Sequence, residues 1–554
     1  MKKKVILLMA CFITLLVVLV ACGENNATDG TDSGTTASTD VMGTGGSGGE
    51  TTNALGISGF PLAESIDVHV MGRFIETPWE DMPFWRVLSE ETNINWTFNT
   101  PPSSDFVEVL NLTLVSQDFP DVFFGSALTA GQQIELGEDG VLLPLQDLIR
   151  EHAPNIQRLL DENPHIVNSI TAPDGNIYAL PTFNQSFDAI WPVGPVYYNG
   201  TWLQYLDAEV PRTLADFEDL MFRFRDEMPE ILGVDRVFPI SATDSMVWLR
   251  AWMLSFWGMT TRGVQATDGV VVHNVTTDAY RAYLEWMNMA FEERLLHPEI
   301  FTLTGDQQSA LGNDNLIGFY QAWHSHHLLG TDEAQALDNP FIRPVTSEWS
   351  PEGILPRSPG FSFGQFAITY RAADPVAILR VFDYFYSPEG AIFADHGPEG
   401  YFWEYDTHAE TGEQIRVRVH DIDTSRGRFT PFYGFPAPNL IPNRMPRLYI
   451  DRYEETDETF QNFLRAETEA TIGTYGRVAF PPAMLTFEEA NRISIINADL
   501  NLEIDRLEAE FITGVRPIND ETWAAFQSDL VRIGIGELVE VFQDAHNRWL
   551  ANAE

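Results

Sequence analysis

Two short patterns in the sequence could support chemistry. Segment 360–364, Gly-Phe-Ser-Phe-Gly, has the Gly-x-Ser-x-Gly spacing of a hydrolase nucleophile elbow, and three histidines, His324, His326 and His327, could ligate a metal ion. The elbow requires a strand before the serine and a helix after it, whereas a Pro-rich loop precedes this serine and the strand-like segment 366–368 follows it. Three histidines within four residues do not converge easily on one ion, and no cysteine is near them. We therefore expect neither a serine nucleophile nor a metal site.

The two cysteines, Cys11 and Cys22, both lie in the first 22 residues, so the rest of the chain has no disulfide framework and no cysteine nucleophile. A basic start, Lys2–Lys4, precedes an apolar run over residues 5–21 that ends in Leu-Val-Ala-Cys. This pattern resembles a secretory signal that ends in a bacterial lipoprotein box. It predicts a signal peptide over residues 1–21 and lipidation of Cys22. The alternative, a transmembrane anchor, is disfavoured because the apolar run is short for a span.

Residues 22–61 are rich in Gly, Ser and Thr and predict a flexible tether. As a random coil this segment spans roughly 30–35 Å, which suits a body held away from a membrane. The net charge of −47 argues against nucleic acid or an anionic membrane surface as an electrostatic partner. The 80 acidic residues guarantee many carboxylate pairs, so counting them cannot separate a glycosidase from a binding protein.

The body alternates between strand and helix patterns. Residues 66–70 alternate like a strand, residues 105–117 carry a helical apolar face, and residues 196–199 form a further strand pattern. This order predicts an α/β body with largely parallel sheets, in which ligands lie beyond the carboxyl ends of the strands. From about Leu485 the pattern is mainly helical.

Several segments, taken in order along the chain, carry a family resemblance. They are Pro-Asp-Val (120–122), Gly-Val-Leu-Leu-Pro-Leu (140–145), Asp-Gly-Asn-Ile-Tyr-Ala-Leu-Pro (174–181), Pro-Arg-Thr-Leu-Ala-Asp-Phe (211–217), Ser-Pro-Glu-Gly (387–390), Gly-Pro-Glu-Gly-Tyr (397–401) and Phe-Ile-Thr-Gly (511–514). These segments resemble the extracellular solute-binding proteins (family 1 type) of bacterial ABC sugar importers, especially the large LipO-like lipoproteins. Each segment is weak alone, but their order and the lipobox together are specific. Many large relatives carry Arg-Asp before Trp202, where this chain has Asn-Gly, and the calcium-type Asp-x-Asp-x-Asp loop of some relatives is absent.

The resemblance implies a two-lobed, periplasmic-binding-protein-like α/β fold (type II) that closes on its ligand at a hinge. We expect lobe 1 to comprise residues 62–181 and about 357–440, and lobe 2 to comprise residues 182–356. Residues 441–554 are expected to form a mainly helical region that packs on the lobes.

A sugar offers apolar C–H faces and a rim of hydroxyls, so its binding site needs flat aromatic rings and side chains with several hydrogen-bonding atoms. Such residues follow predicted strands or turns at several positions. Packing or helix capping explains each of them about as well as ligand contact does. Trp323 is the first choice, since sugar-binding relatives often place a stacking aromatic at that point. The candidate ligand-binding residues are Ser126, Asn184, Gln185, Asp244, Trp248, Trp323 and Trp403.

The sequence thus predicts a lipid-anchored protein on the extracellular face of the cell membrane that captures an oligosaccharide and delivers it to an ABC permease. We expect no catalytic residue, no cofactor, no metal and no nucleic-acid partner, and we expect a monomer whose only membrane contact is its lipid. Two alternatives stay open: a cell-surface polysaccharide-degrading enzyme, and a binding protein for a non-sugar solute such as a peptide. Turnover of a glycan would identify the enzyme, whereas saturable binding without turnover would identify the importer component.

Overall fold

The computed structural model describes residues 52–74, 77–184, 187–407, 412, 414–419, 443–444 and 455–551. The predicted signal peptide, Cys22 and Gln185 lie outside this part of the chain. Within the described residues, no helix combines the length and the apolar composition that crossing a bilayer requires.

The strands are short and distributed along the whole described chain. They are β1 (Ile66–Gly72), β2 (Ile94–Asn99), β3 (Val122–Phe124), β4 (Leu180–Asn184), β5 (Val196–Tyr198), β6 (Phe238–Ser241), β7 (Val264–Thr267), β8 (Val270–His273), β9 (Ile317–Gln321), β10 (Leu355–Pro356), β11 (Phe361–Ile368), β12 (Trp403–Thr407), β13 (Gln414–Arg418), β14 (Asn443–Arg444) and β15 (Gly476–Arg477).

Helices separate most of the strands. They are α1 (Pro83–Thr92), α2 (Phe106–Ser116), α3 (Ala130–Glu138), α4 (Gln146–His152), α5 (Pro154–Glu162), α6 (Pro164–Ile170), α7 (Gly200–Leu206), α8 (Leu214–Leu232), α9 (Val247–Leu254), α10 (Asp278–Glu292), α11 (Gly305–Asn313), α12 (Ser325–Leu329), α13 (Glu333–Ala336), α14 (Pro375–Phe385), α15 (Pro388–His396), α16 (Glu455–Thr468), α17 (Phe487–Ile512), α18 (Asp520–Ile533) and α19 (Ile535–Ala551).

Local sequence signals explain where the long helices begin. Thr213 caps α8 and Thr486 caps α17, and in both cases the side chain three residues later bonds back to the backbone of the cap to complete a capping box. Pro375 occupies the first turn of α14, where its missing N–H costs no hydrogen bond. These starts fix the ends of the helices that cover the sheets.

The first sheet has six strands in the order β14-β4-β11-β3-β1-β2. Strand β1 pairs in parallel with both β2 and β3, whereas β11 runs antiparallel between β3 and β4. The sheet is therefore mixed rather than largely parallel as predicted. Strands β1, β3 and β4 still point the same way, so their carboxyl ends share one edge of the sheet.

The second sheet has three strands in the order β5-β9-β6, with β6 and β9 parallel and β5 antiparallel to β9. Strand β8 lies outside this sheet and forms a separate antiparallel hairpin with β7. Each of the two larger sheets has its own buried apolar core. The first core includes Val70 and Phe366, and the second includes Tyr198 and Phe319.

The C-terminal helices contact α3, which packs beside the first sheet, and elements of the second core. Near the start of α17, Phe487 and Ala490 lie against Gly131 of α3, at a distance of 3.4 Å from an ideal Cβ placed on that glycine. Further along the same helix, Leu500 and Ile504 belong to the second core. Because one continuous helix touches both parts, α17 fixes how the second core is placed relative to α3.

The predicted tether extends too far toward the body. Ile57 and Phe60 are 5% and 1% exposed and belong to the first core. Ile57 N–H also donates to the Asn53 side chain at 2.8 Å. Residues 52–61 therefore pack on the body, and the correction has a physical reason: two buried apolar side chains outweigh the Gly-rich composition around them.

Candidate functional site

Three predicted positions lie at one edge of the second sheet. Strands β6 and β9 are parallel, with Ser241 opposite Tyr320, so the turn after β6 and the turn after β9 leave the sheet on the same side. Strand β5 begins at that edge, where the Ala322 N–H donates to the Pro195 carbonyl oxygen at 3.1 Å. The structure thus places Trp323 and the Asp244–Trp248 turn at the same edge of the second sheet.

Trp323 combines a fixed backbone with an open ring. Its side chain is 60% exposed, although the Tyr197 hydroxyl donates to its carbonyl oxygen at 3.2 Å. The Trp191 ring lies 6.3 Å away, centroid to centroid, with the planes tilted by 37°. A large indole held in place with more than half of its surface in water is the expected form of a stacking platform.

The segment that carries the chain from the first sheet to the second supports this ring. Residues 187–191 follow β4 and precede β5, and the indole Nε1 of Trp191 donates to Thr468 Oγ1 at 2.9 Å. Phe341 contacts Trp191 edge-on at 6.0 Å, and the Arg465 guanidinium lies 5.2 Å above the ring of Phe187. Trp323 therefore lies beside a crossing point between the two sheets.

The turn after β6 has an unusual backbone. Ser245 (φ 55°, ψ 36°) and Met246 (φ 63°, ψ 11°) are successive non-glycine residues in the left-handed region. Such residues persist only where surrounding contacts hold them, and they concentrate at functional sites. Here Arg250 Nη2 donates to the Ser245 carbonyl oxygen at 2.8 Å, and Trp248, at the start of α9, is 43% exposed.

A buried ion network anchors that arginine. Arg250 Nε donates to Glu508 Oε1 at 2.7 Å, Arg262 Nη1 lies 3.3 Å from Glu508 Oε2, and the Tyr280 hydroxyl donates to the same carboxylate. Burial by itself raises the pKa of Glu508, but Arg250 and Arg262 outweigh it and hold that pKa below its ordinary value. The network connects the Ser245 turn to α17.

His273, near this network, predicts a pH dependence of stability. Its burial, together with the positive charge of Arg262, lowers the pKa of the imidazole to about 4. The unfolded chain, with a His pKa of about 6.5, binds this proton more readily, so the free energy of unfolding falls as pH drops from about 6.5 to 4, by about 3 kcal/mol for this group. Urea unfolding of the protein and of His273→Phe across this range measures the effect. Buried His297 and His546, whose pKa values are also lowered, contribute equally to the acid destabilisation of both proteins. If the free energy of unfolding falls by the same amount in His273→Phe as in the parent, the effect does not come from His273 and the assignment is contradicted.

At the first sheet the predicted residues lie at the corresponding carboxyl edge. Ser126 follows β3 but is fully buried, and its hydroxyl donates to the Met71 carbonyl oxygen at 3.3 Å. Asn184 is the last residue of β4, where the chain turns toward the crossing segment. In the structure Ser126 therefore supports the loop after β3, and the ligand contacts of both residues remain predictions.

Glycine 364 shapes that same loop and explains the Gly-x-Ser-x-Gly spacing. It lies inside β11, at an irregularity of pairing between Ser362 and Phe366, so the serine is in a strand and not at a strand-to-helix elbow. Gly364 has φ +71°, and a Cβ there would lie 2.0 Å from the Leu128 carbonyl oxygen.

Gly364→Ala is therefore expected to destabilise the protein by about 2 kcal/mol more than Gly140→Ala. Gly140 is the matched control, because it has the same φ of +71° but no atom within 4 Å of its Cβ position. Chemical denaturation of the two variants measures the difference. Equal losses would mean that the backbone strain alone, and not the contact with the loop, explains the cost.

Trp403 lies apart from both carboxyl edges. It starts the β12-β13 hairpin, is 5% exposed, and its indole Nε1 donates to the Gly397 carbonyl oxygen at 2.9 Å. The Arg416 guanidinium lies 5.6 Å from its ring centroid. In this conformation the ring has no free face for stacking, so its predicted role requires a rearrangement of the hairpin.

Two hollows lie away from this edge. A cavity of 420 Å³ lies beside His69, Asp121 and Arg371, and one of 1020 Å³ separates α2, α3 and the start of α17. None of the predicted ligand-binding residues lines either cavity. Because the Trp323 and Trp248 side chains are both exposed, the candidate site is an open aromatic edge.

Comparison with known proteins shows what this arrangement resembles. No family model matches the chain. It is 24% identical over 489 residues to the fructooligosaccharide ABC transporter substrate-binding protein FusA of Streptococcus pneumoniae serotype 4, a match that covers 84% of this chain and 86% of that protein. The structure of S. pneumoniae FusA in complex with kestose matches with a TM-score of 0.67 at 21% identity, over 88% of this chain and all (100%) of that one. An HMO-binding, ABC-transporter-associated solute-binding protein of Bifidobacterium longum infantis matches with a TM-score of 0.71 at 20% identity, over 88% and 99% of the two chains.

The chain has the fold of ABC-transporter solute-binding proteins. The predicted resemblance and the predicted two-lobed α/β fold are both confirmed by these matches. The segment 187–191 joins the two larger sheets along the chain, and Trp323 lies beside this segment on the side of the second sheet.

Some residues of this arrangement do not stand out in the sequence. Trp191 and Phe187 support Trp323, and Glu508 anchors the turn that bears Trp248. The turn composition around 191–195, Trp-Pro-Val-Gly-Pro, is the one available signal for the crossing segment. Glu508 gives no such signal, because in the sequence it resembles the exposed acids of the same helix, and only the fold brings Arg250 and Arg262 to it.

Proposed function

We propose that the protein is a solute-binding protein of an ABC transporter that captures an oligosaccharide between its two lobes and delivers it to the permease. The observation that carries the proposal is the exposed Trp323 indole at the carboxyl edge of the second sheet, beside the segment that joins the two larger sheets. The relative FusA, whose name specifies fructooligosaccharides and whose structure contains kestose, supports a saccharide ligand. So does the similarity to an HMO-binding protein.

The proposed binding mode follows from the open edge. The indole face of Trp323 stacks on the C–H face of one sugar residue, and Trp248 offers a second ring. Asp244, Asn184 and Gln185, which follow β6 and β4, are proposed to bond the hydroxyls. An open edge also suits a chain of sugar residues better than an enclosed cavity for one. We assign no chemical step to the site, and the protein acts by binding and lobe closure as a monomer.

A thermal-shift screen tests the function. The chain without residues 1–22 is heated with kestose, longer fructooligosaccharides, other oligosaccharides, monosaccharides and short peptides. A ligand at 100 times its dissociation constant adds about 2.7 kcal/mol to the free energy of unfolding, which a melting curve resolves. We expect stabilisation by at least one oligosaccharide and by no peptide. Stabilisation by peptides and by no oligosaccharide would show that the ligand is a peptide and not a sugar.

We further propose that lipidation of Cys22 holds the protein on the extracellular face of the membrane. The support is the sequence alone: the basic start, the apolar run and Leu-Val-Ala-Cys. Cys22→Ser is expected to move the protein from the membrane fraction to the medium of expressing cells. Cys11→Ser is the matched control and should stay with membranes. Retention of Cys22→Ser would contradict lipid anchoring.

A further inference from the structure

Three histidines converge immediately after Trp323. His324 precedes α12, and His326 and His327 lie in its first turns. One ring nitrogen from each lies within 4.8 Å of the other two. The ring centroids of His326 and His327 are 4.2 Å apart, and the rings of His324 and His326 are almost parallel, with planes 12° apart.

The backbone explains why residues so close in sequence meet. His324 is the cap residue of α12 and has an extended conformation (φ −136°, ψ 127°), whereas the next residues are helical. The change of direction at the cap brings the His324 side chain back over the first turn. The expectation that three histidines within four residues do not converge rested on their spacing alone, and the change of backbone conformation at this cap overturns it.

The surroundings of the cluster differ from one ring to the next. Phe460 of α16 packs edge-on against His324 at 5.5 Å and against His326 at 4.9 Å. His326 is 8% exposed, His324 is half-buried and His327 is exposed. Packing against Phe460 therefore holds the His324 and His326 rings, whereas the exposed His327 ring is free to rotate.

We propose that His324, His326 and His327 bind one divalent transition-metal ion of the zinc, copper or nickel type. Imidazole nitrogens suit these ions, and three protein ligands leave a fourth position for water. Zn–N bonds of about 2.0–2.1 Å place tetrahedral ligands about 3.3 Å apart, so nitrogens that lie within 4.8 Å of one another must approach by at most about 1.5 Å. Rotation of the exposed His327 ring brings its nitrogen toward the other two, and adjustment of the half-buried His324 ring shortens its separation from His326. The bound ion would fix the segment that bears Trp323.

Calorimetric titration of the metal-free protein with Zn²⁺, without any saccharide, tests the site independently of the proposed function. We expect one equivalent to bind. His327→Asn should weaken Zn²⁺ binding at least about tenfold, because it removes one of three ligands from an exposed position that the fold does not need. His152→Asn, whose histidine lies in α4 outside the cluster, is the matched control and should bind like the parent. Titration with Co²⁺ adds a spectroscopic readout, since its visible absorption reports nitrogen ligands and coordination geometry.

Each outcome decides the matter. One equivalent of Zn²⁺, a nitrogen-type Co²⁺ spectrum and a loss specific to His327→Asn support the site. Absence of Zn²⁺ binding would overturn it. Equal binding by His327→Asn and the parent would also overturn it, because the ion would then lie on carboxylates of the acidic surface. Circular dichroism of each variant confirms that it is folded.

Discussion

Trp323→Ala is expected to weaken oligosaccharide binding by at least about 30-fold, or about 2 kcal/mol, the loss typical of a binding hot spot. The indole is 60% exposed, so its truncation removes a stacking face without opening a cavity in the core. Trp191, which supports it, stays in place through its hydrogen bond to Thr468. Calorimetric titration with the best oligosaccharide of the thermal-shift screen measures the loss.

Two variants control this result. Trp323→Tyr keeps an aromatic face and should bind within several-fold of the parent. Tyr205→Ala removes another exposed aromatic ring, 55% exposed, from α7 after β5, at the opposite edge of the second sheet. It should bind like the parent. Equal affinities of Trp323→Ala and Tyr205→Ala would show that the ligand does not stack on this edge.

Glu508→Gln is expected to lower the free energy of unfolding by about 3–5 kcal/mol, since removing one partner of a buried ion network leaves uncompensated charge. The carboxylate is 2% exposed and bonds Arg250, Arg262 and Tyr280. The neutral amide cannot offset the buried Arg250 guanidinium, whereas part-buried Arg262 keeps Asp505 as a second partner. Urea denaturation at neutral pH measures the loss.

Glu503→Gln is the matched control on the same helix. Glu503 pairs with Arg506 at 2.7 Å, but the Arg506 side chain is 49% exposed, so this pair is worth no more than about 1 kcal/mol. Similar losses in the two variants would contradict the structural role assigned to Glu508. Because Arg250 also holds the Ser245 carbonyl, Glu508→Gln should in addition weaken oligosaccharide binding in whatever fraction remains folded.

Much of the secondary structure was predictable because its signals are local. The helical face over 105–117 corresponds to α2 (Phe106–Ser116), and the strand pattern over 66–70 lies within β1. Pairing direction was not predictable in the same way. Strand β11 begins at Phe361, five residues before the predicted start at 366, and inserts antiparallel between β3 and β4. Apolar periodicity reports which residues are buried, but it does not report the neighbour against which they pair.

The sequence could predict a residue of the candidate site only where a side chain suited to sugar binding comes directly after a predicted strand. Trp323 fits that rule, because it comes just after β9. The contacts that support the site could not be predicted in this way. Trp191 and Thr468 are 277 residues apart in sequence, and Arg250 and Glu508 are 258 apart. Such contacts depend on the tertiary arrangement of α16 and α17 against the second core, which no local pattern encodes.

The histidine cluster illustrates the same limit at short range. Spacing alone disfavoured convergence of His324, His326 and His327, yet their ring nitrogens lie within 4.8 Å of one another. The deciding feature is the extended backbone at a helix cap. A cap of this kind depends on where β9 ends and α12 begins, and element boundaries are the least certain part of any sequence-based assignment.

Capture without turnover is tested most directly by titrating the protein with kestose and longer fructooligosaccharides in a calorimeter and then analysing the recovered sugar by chromatography. We predict saturable binding of one equivalent of at least one oligosaccharide, which is recovered intact after prolonged incubation. Shortened products that accumulate with time would contradict the account and identify the protein as a polysaccharide-degrading enzyme.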